Sequence, residues 1–154
     1  MSGTALDGLA EAIRALVPEC GDLHQSPESL RSDPGSYLLL LHLPAPLAAT
    51  VRDRPADLPA GFYVYAGSAR GPGGISARLG RHLRGDGKQR WHIDQVTARA
   101  DQRAGFDFSE MTECDLIGRL TADGAFSPPV AGFGSSDCGT CKAHFLRYAP
   151  SSGS

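Results

Sequence analysis

The sequence predicts an α+β domain, a small and mainly antiparallel central sheet flanked by helices. Two runs have the composition of buried strands, and several other stretches repeat apolar residues at helical spacing. The 154 residues suffice for one domain with at most a short extension. Hydrophobic residues make up 41% and charged residues 21%, which suits a packed core and excludes a largely disordered chain.

Residues 4–17 place Leu6, Leu9, Ile13 and Leu16 three and four apart, an amphipathic helix with Pro18 near its end. Residues 18–34 are rich in Pro, Ser, Asp and Gly and read as a loop or linker. Residues 1–34 are therefore expected to be an appendage, packed on the main domain or on another subunit. The main domain is expected over 35–148, with 149–154 as a flexible tail. Its first strand is the apolar run 36–43, bounded by Gly35 and Pro44 and buried on both faces. A second strand is expected over 61–67. Between them, Pro44, Pro46, Pro55 and Pro59 predict a turn-rich excursion, with room for a short strand around Thr50 and Val51.

The turn Gly71-Pro72-Gly73-Gly74 precedes a helix over about 75–84, with Ile75, Leu79 and Leu83 on one stripe. A second helix is expected from about Trp91 to Arg103, then a short strand at 106–108. Thr112 and Asp115 have the spacing of a helix start, and Leu116, Ile117 and Leu120 form the core face of a helix over about 113–122, closed by Gly124. A last apolar stretch covers 144–148.

The net charge of -2 offers no global attraction to nucleic acid. The charge is segregated, however. Arg70 to Arg103 holds eight basic residues against three acidic ones, a local +5 that leaves -7 for the rest. Such a surface suits phosphate binding, and it equally suits a solvated helix face. The N-terminus has no basic region followed by an apolar core, and no window reaches the length of a membrane span, so a cytoplasmic location is expected. In that setting the four cysteines read as thiols or metal ligands rather than disulfides.

Phosphodiester hydrolysis needs a base for water, positive charge on the phosphate and usually a metal. Arg78 and His82, one helical turn apart, could present a guanidinium fork and an imidazole to one phosphate. Their bland reading is a surface arginine beside a half-buried histidine. Cys138, Cys141 and His144 have metal-ligand spacing, and Cys114 could complete a structural Zn²⁺ site. The second well-separated ligand pair of a usual zinc finger is missing, which favours packed thiols.

Gly35-Ser36-Tyr37 followed by Tyr65-Ala66-Gly67 resembles the paired strand motifs of the GIY-YIG nuclease superfamily. Gly67-Ser68-Ala69 and then Arg78, Arg81 and His82 resemble its signature helix. Within it, the chain is most similar to a small uncharacterised group sometimes fused to endonuclease-III-type DNA glycosylases. The group's marks are Gly61 to Ala69, Trp91-His92-Ile93-Asp94, Glu113-Cys114, and Gly132 to Cys138 followed by His144. The resemblance covers about 35–148. It implies a metal-dependent endonuclease acting on DNA, on a branched or damaged form in repair.

By that resemblance Tyr37 or Tyr65 acts as base or orients water, although a phenol's ordinary pKa is about 10. Arg78 holds the scissile phosphate, His82 assists proton transfer, and Glu113 holds Mg²⁺ or Mn²⁺. Arg70, Arg81, Arg84 and His92 are candidates for further contacts to phosphate or nucleic acid. Strand tyrosines also serve simply as packing, and His92 could instead hydrogen-bond a backbone carbonyl. The spacing between the two tyrosine motifs is longer than usual, and Ser36 and Ala66 replace larger apolar residues. No separate DNA-recognition domain is evident, which implies a repair-protein partner or a structured substrate. The rival expectations are a catalytically inactive nucleic-acid-binding or interaction domain on the same scaffold, and a zinc-stabilised structural module in a repair assembly.

Overall fold

The computed structural model describes residues 6–26, 28, 30, 32–51, 54–69, 71–84, 93–127 and 144–149. Its centre is a five-stranded sheet of β1 (Gly35–Leu43), β4 (Gly61–Ala69), β5 (Gln102–Phe108), β6 (Phe126–Ser127) and β7 (Phe145–Tyr148). The strand order is β5-β1-β4-β7-β6, and every neighbouring pair is antiparallel. With helices on both faces, the fold is α+β.

β1 is central, and its unbroken apolar run follows from burial on two sides. On one face Leu38 and Leu40, with Val64, Ala66, Ala104, Phe106 and Leu146, pack against α1 (Leu6–Leu16) and α4 (Glu113–Thr121). On the other, Tyr37, Leu39 and Leu41, with Tyr63 and Phe145, pack against α2 (Gly74–Arg84) and α3 (Ile93–Thr97). Alternation along the strands thus assigns every sheet residue to one layer or the other.

The N-terminal segment is built into this core. Leu6, Leu9 and Ile13 are at most 1% exposed, and Val17 extends their stripe. The chain after α1 is tied down as well. Arg119 of α4 grips Glu19 through two bonds of 2.8 and 3.1 Å, and His24 exchanges two 2.8 Å backbone bonds with Gly105 on the outer edge of β5. Asp33 O accepts from Ile75 N at 3.0 Å, where α2 begins. Among the described residues of this loop, His24 thus covers the edge of β5 and Asp33 clamps the start of α2.

The excursion at 44–60 forms an antiparallel hairpin, β2 (Leu47–Val51) with β3 (Arg54–Leu58). It packs Ala49 and Leu58 into the α2-side core. The Gln95 side-chain amide, on α3, donates to Thr50 O and accepts from Thr50 N, standing in for a strand partner at β2's edge.

One element departs from expectation. The helix foreseen over 91–103 ends at Thr97, and β5 takes seven residues from 102. Residues 98–103 are good helix formers, but the outer edge of β1 presents a row of backbone groups that need partners, and β5 supplies them from Ser36 to His42. Arg103 then reaches back to the carbonyls of Thr97 and Ala100 at 2.7 and 3.2 Å, closing α3. One member of the expected basic surface is therefore spent as a helix cap. The start of α4 is as expected, since Thr112 and Asp115 exchange both capping-box bonds. Its end is set by Ala122 rather than Gly124. Among the described residues no helix is long and apolar enough to cross a membrane.

Candidate active site

Register brings the two tyrosine motifs together. Tyr37 on β1 faces Gly67 on β4, and Leu39 faces Tyr65, so both tyrosines project from the α2 side. The Tyr37 ring lies across Gly67, where a Cβ would sit 2.8 Å from Tyr37 Cε1 and nearer still to Cζ and Oη. The glycine of the second motif is thus the seat of the tyrosine of the first.

α2 roofs this face because of the turn that starts it. Gly73 and Gly74 have φ of 83° and 57°, which only glycine adopts without strain. A Cβ at Gly74 would also collide with the Ser32 and Asp33 carbonyls. Ile75, Leu79 and Leu83 bury the helix, and Leu79 comes down on Gly105 of β5, where a Cβ would lie 2.8 Å from its methyls. His82 is thereby driven inward to 2% exposure. Its Nε2 lies 3.2 Å from Tyr37 Oη, with the proton on either atom according to the imidazole tautomer. Ring centroids are 5.8 Å apart for Tyr37 and His82, 6.2 Å for Tyr65 and His82, and 6.3 Å for the two tyrosines. Tyr37, Tyr65 and His82 therefore form one cluster. Arg78, a turn earlier, extends its guanidinium back to the Gly71 turn, with Nη2 3.9 Å from a Cβ position there.

Glu113 stands apart from these side chains. It opens α4, and Ser36 Oγ donates to its Oε1 at 3.4 Å. Ser36 shares the face of Leu38, so Glu113 approaches the same end of β1 from the α4 side. Next to it, Cys114 Sγ lies 4.0 Å from Nε2 of His144, which is 8% exposed and whose carbonyl accepts from Ala66 N at 2.8 Å. Cys114 is disulfide-bonded, contrary to the expectation of thiols, so a zinc ion ligated by it requires the reduced chain. Cys138 and Cys141 lie outside the described residues, as do Arg70 and His92. Arg81 is half-buried and Arg84 exposed on α2.

Sequence reasoning missed Asp107. It faces Tyr37 across the β1–β5 pair, and its Oδ1 lies 3.3 Å from His24 Nε2. No local motif marks it, because its neighbours are set by the β5 register and by the covering segment at 18–26. Behind the cluster, Tyr63 stacks on Phe145 with centroids 5.1 Å apart. Burial pushes the Tyr63 phenol up, against the pull of Arg147, so it stays protonated.

Among the described residues no three His, Cys, Asp or Glu side chains gather closely enough to enclose an ion. Glu113 and Asp107 carry the oxygen donors that hard cations take, but they approach β1 from opposite layers.

No curated protein and no solved structure matches the chain. A family profile, described as a domain of unknown function, DUF123, matches residues 36–153, from β1 onward and without α1. Since that span is well over half of the sequence, the chain belongs to the DUF123 family of domains of unknown function.

Proposed function

We propose that the protein is a divalent-metal-dependent endonuclease that hydrolyses DNA phosphodiester bonds, on branched or damaged DNA in repair. The observation that carries this reading is the Tyr37–His82 contact of 3.2 Å, in a cluster with Tyr65 and beneath the helix that bears Arg78. Arg78 would bind the phosphate through its planar fork and meet the charge that grows on it. An attacking water would pass its proton to Tyr37 Oη as the Tyr37 proton moves to His82 Nε2, so the phenol need not ionise beforehand. When bound, Mg²⁺ or Mn²⁺ supplies charge stabilisation at the leaving oxygen, with Glu113 as the carboxylate nearest the N-terminus of α4.

Burial favours a second reading. Tyr37 and His82 are each 2% exposed, as core residues are, which suits a nucleic-acid-binding or interaction domain that keeps the scaffold without turnover. A cleavage assay with Mg²⁺ or Mn²⁺ on linear, nicked, flap and branched DNA separates the two. The nuclease reading expects cleavage by the wild type and its loss in Arg78→Ala and Glu113→Ala. Equal activity in all three would expose a contaminant, and binding without cleavage would establish the second reading. A cytoplasmic location and a repair-protein partner belong to the same proposal.

A further inference from the structure

We infer that the disulfide of Cys114 is a reversible redox switch, which holds the start of α4, and with it Glu113, in the oxidised chain and releases it on reduction. The inference rests on the phosphodiesterase reading only for its consequence at Glu113; the bond and its surroundings stand apart from that reading.

The chain has four cysteines. Cys20 is a free thiol and Cys114 is disulfide-bonded, so the partner of Cys114 is Cys138 or Cys141, in the sequence between β6 and β7. Those two are three residues apart, the spacing of a C-x-x-C redox pair, and the one not joined to Cys114 is left as a thiol. Cys20 does not compete in exchange, because burial pushes its thiol up to about 11.

The surroundings of Cys114 make the bond reducible. It is half-buried and borders a cavity of about 650 Å³ between α1 and α4, which gives a small thiol access. It is also the second residue of α4 after the Thr112 cap, where the helix dipole favours the negative sulfur that a breaking bond leaves. His144 Nε2 stands 4.0 Å from its Sγ, where an imidazole N–H can donate to that sulfur. Glu113 and Asp115 flank Cys114, but they are engaged by Ser36 Oγ and by the Thr112 cap. Exposed disulfides are the labile and regulatory ones, whereas structural ones resist reduction.

A dithiol reductant balances the step. One of its thiolates attacks the partner sulfur, and the electron pair of the broken bond leaves on Cys114 Sγ, which takes up a proton. The second thiol of the reductant then displaces the partner sulfur and carries away the new disulfide. A small-molecule disulfide reverses the exchange and is itself reduced to two thiols. Glu113 responds because little else holds it. Its carboxylate meets Ser36 Oγ at 3.4 Å, a long bond, and α4 has nine residues, too few to stand without tertiary support. A covalent anchor on the next residue therefore sets how firmly the first turn presents Glu113.

Thiol labelling of the full chain purified without reductant, with mass mapping of unreduced peptides, tests the bond without DNA. Cys114 should be closed to the label and joined to Cys138 or Cys141. Dithiothreitol should open the bond without denaturant, and oxidised glutathione should close it. Opening should lower the thermal midpoint by about 5–10 °C. Cys114→Ser should melt like the reduced chain in both conditions, and Cys20→Ser should respond as the wild type does. Should Cys114→Ser fail to fold, the oxidised and reduced wild type carry the test. A labelled Cys114 in the oxidised chain, zinc retained on its thiol, a bond that opens only in denaturant, or an unchanged midpoint on opening overturns the inference. With branched DNA and Mg²⁺, cleavage equal in both states but absent in Arg78→Ala overturns it and spares the nuclease reading. No cleavage in either state sinks that reading and leaves the switch standing on its midpoint.

Discussion

The phenol of Tyr37 occupies the space that a side chain at Gly67 would need. Two residues of different motifs on different strands are therefore one structural unit, and the contact of Tyr37 with His82 depends on it. Gly67→Ala should push the ring off its seat and break that contact. Overpacking of this kind costs about 1–3 kcal/mol, so chemical denaturation should show a lowered midpoint. Gly118→Ala is the matched control: a Cβ there meets nothing within 4 Å, and it lies in α4. Removing a helix glycine should raise stability by about 0.4–1 kcal/mol. Equal effects at both positions would refute the seat.

The elements legible from sequence are those whose causes are local. The apolar run of β1, the stripe on α2 and the capping box of α4 each carry their own signal within a dozen residues. The second half of β5 is legible as a strand, but its residues 102–104 favour a helix when read alone and become strand only beside β1. Of the hairpin at 47–58, the strand around Thr50 and Val51 is legible, whereas Pro55 masks its partner β3, which pairing with β2 and the α2-side core sustain. In the site, the tyrosines and His82 were legible as motif residues. Asp107 and His24 were not, because only the bridge to Gly105 brings them together. Nor does any cysteine spacing announce the disulfide at Cys114.

α1 completes the core although the family match begins after it. Ile13 is 0% exposed, and truncating it leaves a cavity under β1 and β5. Ile13→Ala should cost about 2–5 kcal/mol, read from urea denaturation. A chain beginning at Gly35 should expose Leu38, Leu40 and Phe106, bind a hydrophobic dye and aggregate. A monomeric, cooperatively folding 35–154 chain would show that α1 is the appendage its sequence suggests.

The Glu19–Arg119 pair links the segment after α1 to α4 and gives acid stability a defined sign. The Arg119 hydrogen bonds hold the Glu19 carboxyl below the usual carboxylate range. A lowered folded pKa contributes stability that is present above the unfolded value and is lost as pH falls through the folded one. The stability gap between wild type and Arg119→Ala should therefore be widest near neutrality and close on acidification. Both side chains are largely exposed, so salt should narrow it too. A gap independent of pH and salt would assign Arg119's role to its bond with Leu16 O instead.

Tyr37→Phe separates chemistry from packing, because it keeps the ring on Gly67 and removes only the hydroxyl near His82. Loss of a buried hydrogen bond of this kind costs about 1–3 kcal/mol, and that loss is expected whether or not the protein cleaves DNA. Positioned acid–base groups contribute about 10²–10⁴-fold to rate, so a working Tyr37 should show a fall of that size at a temperature where the variant is fully folded. Tyr65→Phe, whose ring meets the cluster only from the side of β4, should lose less. A variant that is destabilised yet cleaves at the wild-type rate would make Tyr37 a packing residue and move the base to another group on the same face.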